Sequence, residues 1–167
     1  KLGNDVFLKR EDMQPIFSFK IRGAYNKIAN LGAQQKKRGV LTASAGNHAQ
    51  GVANACRKLK IPCLIVMPVT APEIKIKAVK RLGAKVKLFG DNFDQASKKA
   101  IQLSKEKKIE FIEAFDDPYT IAGQGTVGKE ILDADPSLDV IFVPVGGGGL
   151  LAGISAWAAQ TQSKTKV

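Results

Sequence analysis

One lysine stands apart from the rest. The stretch "PIFSFKIRGAYNKI" sets Lys20 between Phe19 and Ile21, with Ile16 and Phe17 just upstream, whereas other lysines fall in polar runs such as "QQKKRG" and "SKEKKIE". Desolvating an ammonium is costly. Burial therefore lowers the pKa and frees a neutral amine to act as nucleophile or base. The plainer alternative is a lysine that lays its stem on apolar neighbours and keeps its charge in water.

Three loops could work beside it. In "VPVGGGGLLAG" a strand pattern runs into Gly146, Gly147, Gly148 and Gly149, and a helix pattern follows. Glycines let a ligand approach the backbone, and the free N–H groups of a helix start favour an anion. No Lys-Ser/Thr pair follows, which excludes a triphosphate P-loop. "GGGLLA" also fits the loose dinucleotide fingerprint, but its acidic partner, about 20 residues on, would fall past Val167. A tight turn without ligand is the other account. In "TASAGNHAQG", Ser44, Ala45 and Gly46 precede Asn47 and His48 at a helix start, a second anion cradle of carboxylate size with an amide beside it. His48 is the only histidine. At a first helical turn it serves either as a base or, more simply, as a structural hydrogen bonder. "GQGTVG", Gly123 to Gly128, matches Gly-x-Gly-x-x-Gly literally but follows no convincing strand. It reads as a helix start whose glycines permit close packing.

A phosphate cradle, a carboxylate cradle with an amide, and a desolvated amine together suit one cofactor. Pyridoxal phosphate, with its phosphate, aldehyde and ring hydroxyl, uses all three when it acts on an amino acid. A nicotinamide dinucleotide would leave Lys20 and the Ser44–Asn47 loop without a task.

These groups need a scaffold, and the periodicity predicts one. Strand patterns ("DVFLK", "GVLTAS", "PCLIVMP", "KVKLFG", "IEFIEA", "DVIFVPV") alternate with helix patterns. The helix patterns are "FKIRGAYNKIANL" with Ser18 as N-cap, "HAQGVANACRKL", "APEIKIKAVKRLG", "FDQASKKAIQLSKEK", "GQGTVGKEILDA" and "LLAGISAWAAQ". Alternation of this kind predicts an α/β fold, parallel twisted sheets with helices on both faces. Ligands of such folds gather at the C-terminal ends of the strands, where these loops lie.

Composition narrows the classes. The 167 residues hold 26 Lys and Arg against 15 Asp and Glu, a net charge of +11. The cations are spread as on solvated helix faces, with few aromatics between them, so no nucleic-acid platform is expected. Two cysteines, Cys56 and Cys63, are too few for a disulfide framework, and no spacing suits a metal. The uncharged run from Val140 to Ser163 is broken by Pro144 and four glycines, so no membrane span is expected. No targeting segment is visible, and the abrupt start at "KLGNDVFLKRED" leaves room for a lost leader. The expected compartment is the cytoplasm or the matrix of a plastid or mitochondrion.

"SFKIRGA", "SAGNHAQG" and "GGGGLLAG", in that order, resemble the pyridoxal-phosphate enzymes of fold type II, the tryptophan-synthase-β-like type. Within it the chain resembles the serine/threonine dehydratase branch. "LKREDMQPIFSFKIRGAY" and "FDDPYTIAGQGT" are most similar to the threonine dehydratases of isoleucine biosynthesis. The resemblance implies a lyase that removes water from L-threonine, and L-serine, to release a 2-oxo acid and ammonia. It implies that Lys20 bonds to the cofactor aldehyde, with Phe19 beside the ring and Asn47 on the ring hydroxyl. Gly146, Gly147, Gly148, Gly149 and Leu150 would hold the phosphate. Ser44, Ala45, Gly46, Asn47 and His48 would surround the substrate carboxylate.

Catalytic regions of this family run to about twice this length, so the resemblance implies a fragment. It would comprise 1–41 and 118–167 of a large cofactor-binding lobe, and 42–117 as a small lobe. The residue on the pyridine nitrogen would lie outside the chain, and the whole enzyme would be a homo-oligomer. Serine racemase, or another β-elimination or replacement enzyme, is the near alternative. In the racemases this sequence resembles, a second serine follows the first in the "SAGNHAQG" loop, where this chain has Ala45. A non-catalytic dinucleotide-binding module is the alternative of another class.

Overall fold

The short apolar runs become strands: β1 (Val40–Ala43), β2 (Cys63–Met67), β3 (Lys85–Leu88) and β4 (Glu110–Phe111). In the computed structural model, which describes residues 3–167, they form one parallel sheet in the order β3-β2-β1-β4. Val40 lies opposite both Cys63 and Glu110, and Leu64 opposite Lys85. Seven helices follow the predicted alternation with one addition: α1 (Lys20–Ala29), α2 (Ala33–Arg38), α3 (Asn47–Leu59), α4 (Glu73–Arg81), α5 (Phe93–Lys107), α6 (Pro118–Ala134) and α7 (Gly149–Gln160).

Side chains alternate across a strand, so the central strands bury both faces as "PCLIVMP" predicts. Val40, Ile65 and Met67 meet Ala49, Val52, Ala53 and Cys56 of α3, with Ala24 and Ile28 of α1 and Val79 of α4. Leu41, Ala43 and Val66 face the other way, onto Ala96, Ala100 and Leu103 of α5. Helices therefore cover both faces, and the α/β fold class holds. Polar caps mark two helix starts. Asn92 Oδ1 accepts from Gln95 N at 3.0 Å, and Asp117 Oδ1 from Thr120 N at 2.9 Å.

Several predicted boundaries are corrected. "DVFLK" forms no strand: Val6, Phe7 and Leu8 are all more than 70% exposed and make no ladder. "DVIFVPV" contributes one parallel bridge, Val140 to Lys166, and Phe142 is 92% exposed. An apolar run supplies the side chains of a strand, but its backbone needs a neighbour to pair with. The six-residue α2 was not predicted, because "AQQKKR" has no apolar period. α6 begins at Pro118, so "GQGTVG" lies inside the helix, not at its start. Its glycines do serve close packing: a Cβ on Gly123 would sit 2.7 Å from Arg22 O, and one on Gly125 2.8 Å from Gly153 O. α6 can thus lie directly against both α1 and α7.

An ion network ties the N-terminal segment to this helical layer. The Arg22 guanidinium donates to Glu11 at 2.8 Å and to Glu130 at 2.6 Å, and Lys9 reaches Glu130 at 2.6 Å. Hydrogen bonds from Arg22, joined by Lys9, pull the Glu130 carboxyl down to about 2. Burial pushes Glu11 up, but Arg22 and Lys9 outweigh it and the net shift is down. Depressed carboxyls favour the folded state above the ordinary glutamate value of about 4.3. That contribution is lost as the pH falls through the folded value. Melting temperature should therefore fall from about pH 4.5 toward pH 2. Glu130→Gln should melt lower at pH 6 and lose less over that window; an unchanged slope would show that the network adds nothing.

Candidate active site

Lys20 is the first residue of α1. Ser18, predicted as N-cap, lies one position too early; Phe19 holds the cap, while Ser18 Oγ still accepts from Lys20 N at 3.3 Å. The lysine is half-buried. Ile16 and Ile21 are buried near it, but Phe17 is 77% exposed with φ +56°, so it does not shield the amine. Nζ donates to Ala114 O at 2.8 Å and lies 5.4 Å from the Phe19 ring centroid. No carboxylate pairs with it among the described residues. Burial, unopposed, holds its pKa below the ordinary lysine value.

α3 crosses the backbone of Lys20 so closely that a Cβ on Gly51 would lie 2.9 Å from Lys20 O. This contact sets the first turn of α3, one turn upstream of Gly51, beside the start of α1. Ser44 N donates to Val66 O at 3.2 Å, carrying the β1–β2 ladder one step past the strand. Ser44 Oγ accepts from Gly46 N at 3.1 Å, which folds the loop into the helix. Ala45 is half-buried and Asn47 is exposed at the helix start.

His48 is buried and places Nε2 3.0 Å from Ile112 O. A carbonyl only accepts, so Nε2 carries the proton. Burial, with the charge of Lys20 adding to it, lowers its pKa to about 4 against the opposing pull of the Ile112 carbonyl. The ring is neutral at physiological pH and holds the loop in place. Its imidazole NMR shifts should stay flat from pH 8 to pH 5.5; a midpoint near 6.5 would show an exposed, titrating ring.

The glycine run turns into α7. Gly148 is the N-cap with φ +86°, a conformation that strains any residue with a Cβ. Gly146 and Gly147 are exposed, while Gly149 and Leu150 are buried. Leu150 shares an apolar cluster with Ile154 of α7 and Val127 of α6, and Phe19, the residue before Lys20, packs against that cluster. Close packing also acts within the turn: a Cβ on Gly147 would lie 2.4 Å from the Phe115 ring, and one on Gly149 2.8 Å from Phe115 O. The first N–H groups of α7 have no partner within the helix.

One segment joins all these parts, and sequence reasoning missed it. Ile112 O accepts from both Thr42 Oγ1, at 2.8 Å, and His48 Nε2. Ala114 O accepts from Lys20, and Phe115 seats the glycine turn. "IEFIEA" reads as one strand to Ala114, but pairing ends at Phe111. Past that point the carbonyls turn to the site. A carbonyl leaves no mark in a sequence; the available signal was the "FDDP" break that follows.

The arrangement fits the expected cofactor. A phosphate would meet a glycine-lined helix N-terminus, an aldehyde a desolvated amine without an ion-pair partner, and a ring hydroxyl the exposed amide of Asn47. Among the described residues, no group of three or more His, Cys, Asp or Glu is placed to hold a metal.

A family model described as pyridoxal-phosphate dependent enzyme matches residues 1–167. The biosynthetic, chloroplastic threonine dehydratase of Arabidopsis thaliana is 55% identical over 168 residues, covering 100% of this chain and 28% of that protein. The processed form of threonine deaminase isoform 2 from Solanum lycopersicum superposes with a TM-score of 0.93 at 51% identity, covering 95% of this chain and 44% of that one. Maize serine racemase gives a TM-score of 0.88 at 38% identity, covering 93% and 47%. The chain spans less than a third of the length of the Arabidopsis relative.

Proposed function

The chain belongs to the pyridoxal-phosphate dependent enzymes, and from that premise we propose that the protein deaminates L-threonine, and L-serine, by eliminating water across Cα–Cβ to give a 2-oxo acid and ammonia. The observation that carries this is the Lys20 amine, half-buried, bonded only to a carbonyl and lowered in pKa. Likeness to dehydratases over the whole chain supports the choice of reaction.

Phe19, Lys20, Asn47, Gly146, Gly147, Gly148, Gly149 and Leu150 hold the cofactor, and Ser44, Ala45, Gly46, Asn47 and His48 enclose the substrate carboxylate. Pyridoxal phosphate, when bound, supplies the electron sink that lets the Cα–H bond ionise. Lys20 Nζ takes the Cα proton, and its lowered pKa keeps a fraction of the amine neutral for that step. Neutral His48 fixes the carboxylate loop without adding a charge. The helix N-termini of α3 and α7 would each receive one anion, the substrate carboxylate and the cofactor phosphate, and hold it in place.

The lobes are assigned as 1–41 with 118–167, and 42–117. Within the first lobe a separate apolar cluster joins α6 to α7, while Ala24 and Ile28 of α1 pack across the division onto α3. The proposed assembly is a homo-oligomer acting on a free amino acid, in the cytoplasm or an organellar matrix. The chloroplastic name of the Arabidopsis relative supports that compartment. No helix among the described residues is long and apolar enough to cross a membrane.

The test is ammonia and 2-oxo acid release from L-threonine and L-serine by the cofactor-loaded protein; no oxo acid from either would overturn the reading. The racemase alternative turns on Ala45. Racemisation needs a proton donor on the face opposite Lys20, and a methyl group cannot supply one. Little D-isomer should accompany elimination. Ala45→Ser should raise the ratio of racemisation to elimination about tenfold or more, within the range of a placed acid–base group, with cofactor affinity unchanged. Chiral analysis of recovered amino acid reads this, and equal rates of both reactions in the unmodified protein would favour the racemase.

A further inference from the structure

The "GQGTVG" run has no part in the proposed reaction, yet it presses on the turn that carries Lys20. Gln124 is 1% exposed and reaches from α6 to α1, where its Oε1 accepts from Gly23 N at 3.1 Å. Glycines on both sides admit the contact. A Cβ on Gly23 would run into Gln124 Nε2 and lie 2.6 Å from Thr120 O, and one on Gly123 would lie 2.7 Å from the Gly23 Cα. The start of α1 also differs from the others. In α2 to α7 the N-cap carbonyl receives the N–H four residues on, as Asp117 O receives Ile121 N at 2.8 Å. In α1 Phe19 O receives Arg22 N, three residues on, at 3.0 Å, and Gln124 takes the Gly23 N–H. The other half of the amide is left over: Nε2 is buried with no hydrogen-bond partner among the described residues. An unpaired buried donor is costly, and methionine or leucine would fill the space without one. Packing alone does not explain a glutamine here.

We propose, on the reading of Lys20 as the catalytic amine, that Gln124 is a positioning residue for it: the amide oxygen closes the tightened first turn of α1 and so fixes where the Lys20 side chain leaves the backbone. The same turn is gripped elsewhere. Lys20 O lies against Gly51 of α3, and the Arg22 guanidinium donates to Thr126 Oγ1 at 3.0 Å and to Glu130 at 2.6 Å, both on α6. Gln124 is the buried member of this set and the one that bonds to the backbone of the turn itself. Nζ is held by its bond to Ala114 O, so its place depends on where the turn puts the Lys20 Cα. A misplacement of about 1 Å at a reacting group can lower a rate about 100-fold.

Substitution separates the two halves of the amide. Gln124→Met keeps the volume and removes the acceptor. Gln124→Glu keeps the acceptor and replaces only the unpaired N–H, because a desolvated carboxyl holds its proton. In the cofactor-loaded protein Gln124→Met should lower kcat for L-threonine about tenfold or more, with KM within about twofold, since the α3 loop is untouched. Its Gly23 amide should exchange with solvent about tenfold faster, and a short borohydride exposure should fix less cofactor on the Lys20 peptide. Gln124→Glu should bring all three close to the unmodified values. An equal loss of kcat in both variants would overturn the proposal, as would unchanged kcat and borohydride yield in Gln124→Met, or a rise in KM alone. Gln124→Leu takes the place of methionine if that variant does not fold; if neither apolar variant folds, the glutamine is structural and the proposal falls. Should the unmodified protein release no oxo acid, deamination falls instead, and amide exchange with borohydride yield still decide whether Gln124 places Lys20.

Discussion

Lys20→Ala is expected to lower turnover by about 10⁴-fold or more, the upper range for a positioned acid–base group, while the protein stays folded. The side chain is only half-buried, and its one hydrogen bond goes to Ala114 O. Losing such a bond costs about 1 kcal/mol. A melting curve close to that of the unmodified protein should therefore accompany near-complete loss of oxo-acid release. Borohydride should fix the cofactor to the peptide bearing Lys20, and in Lys20→Ala no peptide should carry it. Cofactor mass on another lysine would move the catalytic amine elsewhere. Lys20→Arg should be as inactive, because a guanidinium stays protonated at any working pH.

Gly147→Val should weaken cofactor binding about 100-fold or more, equivalent to about 2.7 kcal/mol. The sequence points to a backbone that must come close to a phosphate. The structure adds a second cause, because the missing Cβ is the space that the Phe115 ring fills, 2.4 Å away. Valine must displace either the ring or the turn. If the ring is the obstacle, Phe115→Ala combined with Gly147→Val should recover part of the lost affinity, as a double-mutant cycle reads directly. No recovery would place the damage on the phosphate side of the turn. Unchanged affinity in Gly147→Val would remove the phosphate from this loop.

Most of the secondary structure was legible because apolar residues repeat with the period of their element. α3 shows it well: "HAQGVANACRKL" reads as a helix, and Ala49, Val52, Ala53 and Cys56 at helical spacing pack into one apolar cluster. The failures share a cause. "DVFLK" and "DVIFVPV" have strand composition, but their backbones find almost no partner among the described residues. "AQQKKR" has no apolar face, and its helix rests on local bonds such as Gly32 N to Gln35 Oε1 at 2.9 Å.

By itself the sequence determined a parallel α/β scaffold and pointed to the chemistry proposed on it: an amine at Lys20 and two loops suited to anions. Those follow from residue type and periodicity, which are local. The tertiary structure decided what each group does. It made His48 a neutral strut on Ile112 O, turned the "GQGTVG" glycines into helix contacts, and left Lys20 bonded to Ala114 O with no acid paired to it among the described residues. It also gathered the three loops on the segment from Ile112 to Phe115, mostly through backbone carbonyls. The physical reason is that burial sets a pKa and packing sets a distance, and both depend on neighbours remote in the chain. Ala114 lies 94 residues from the lysine whose amine it receives.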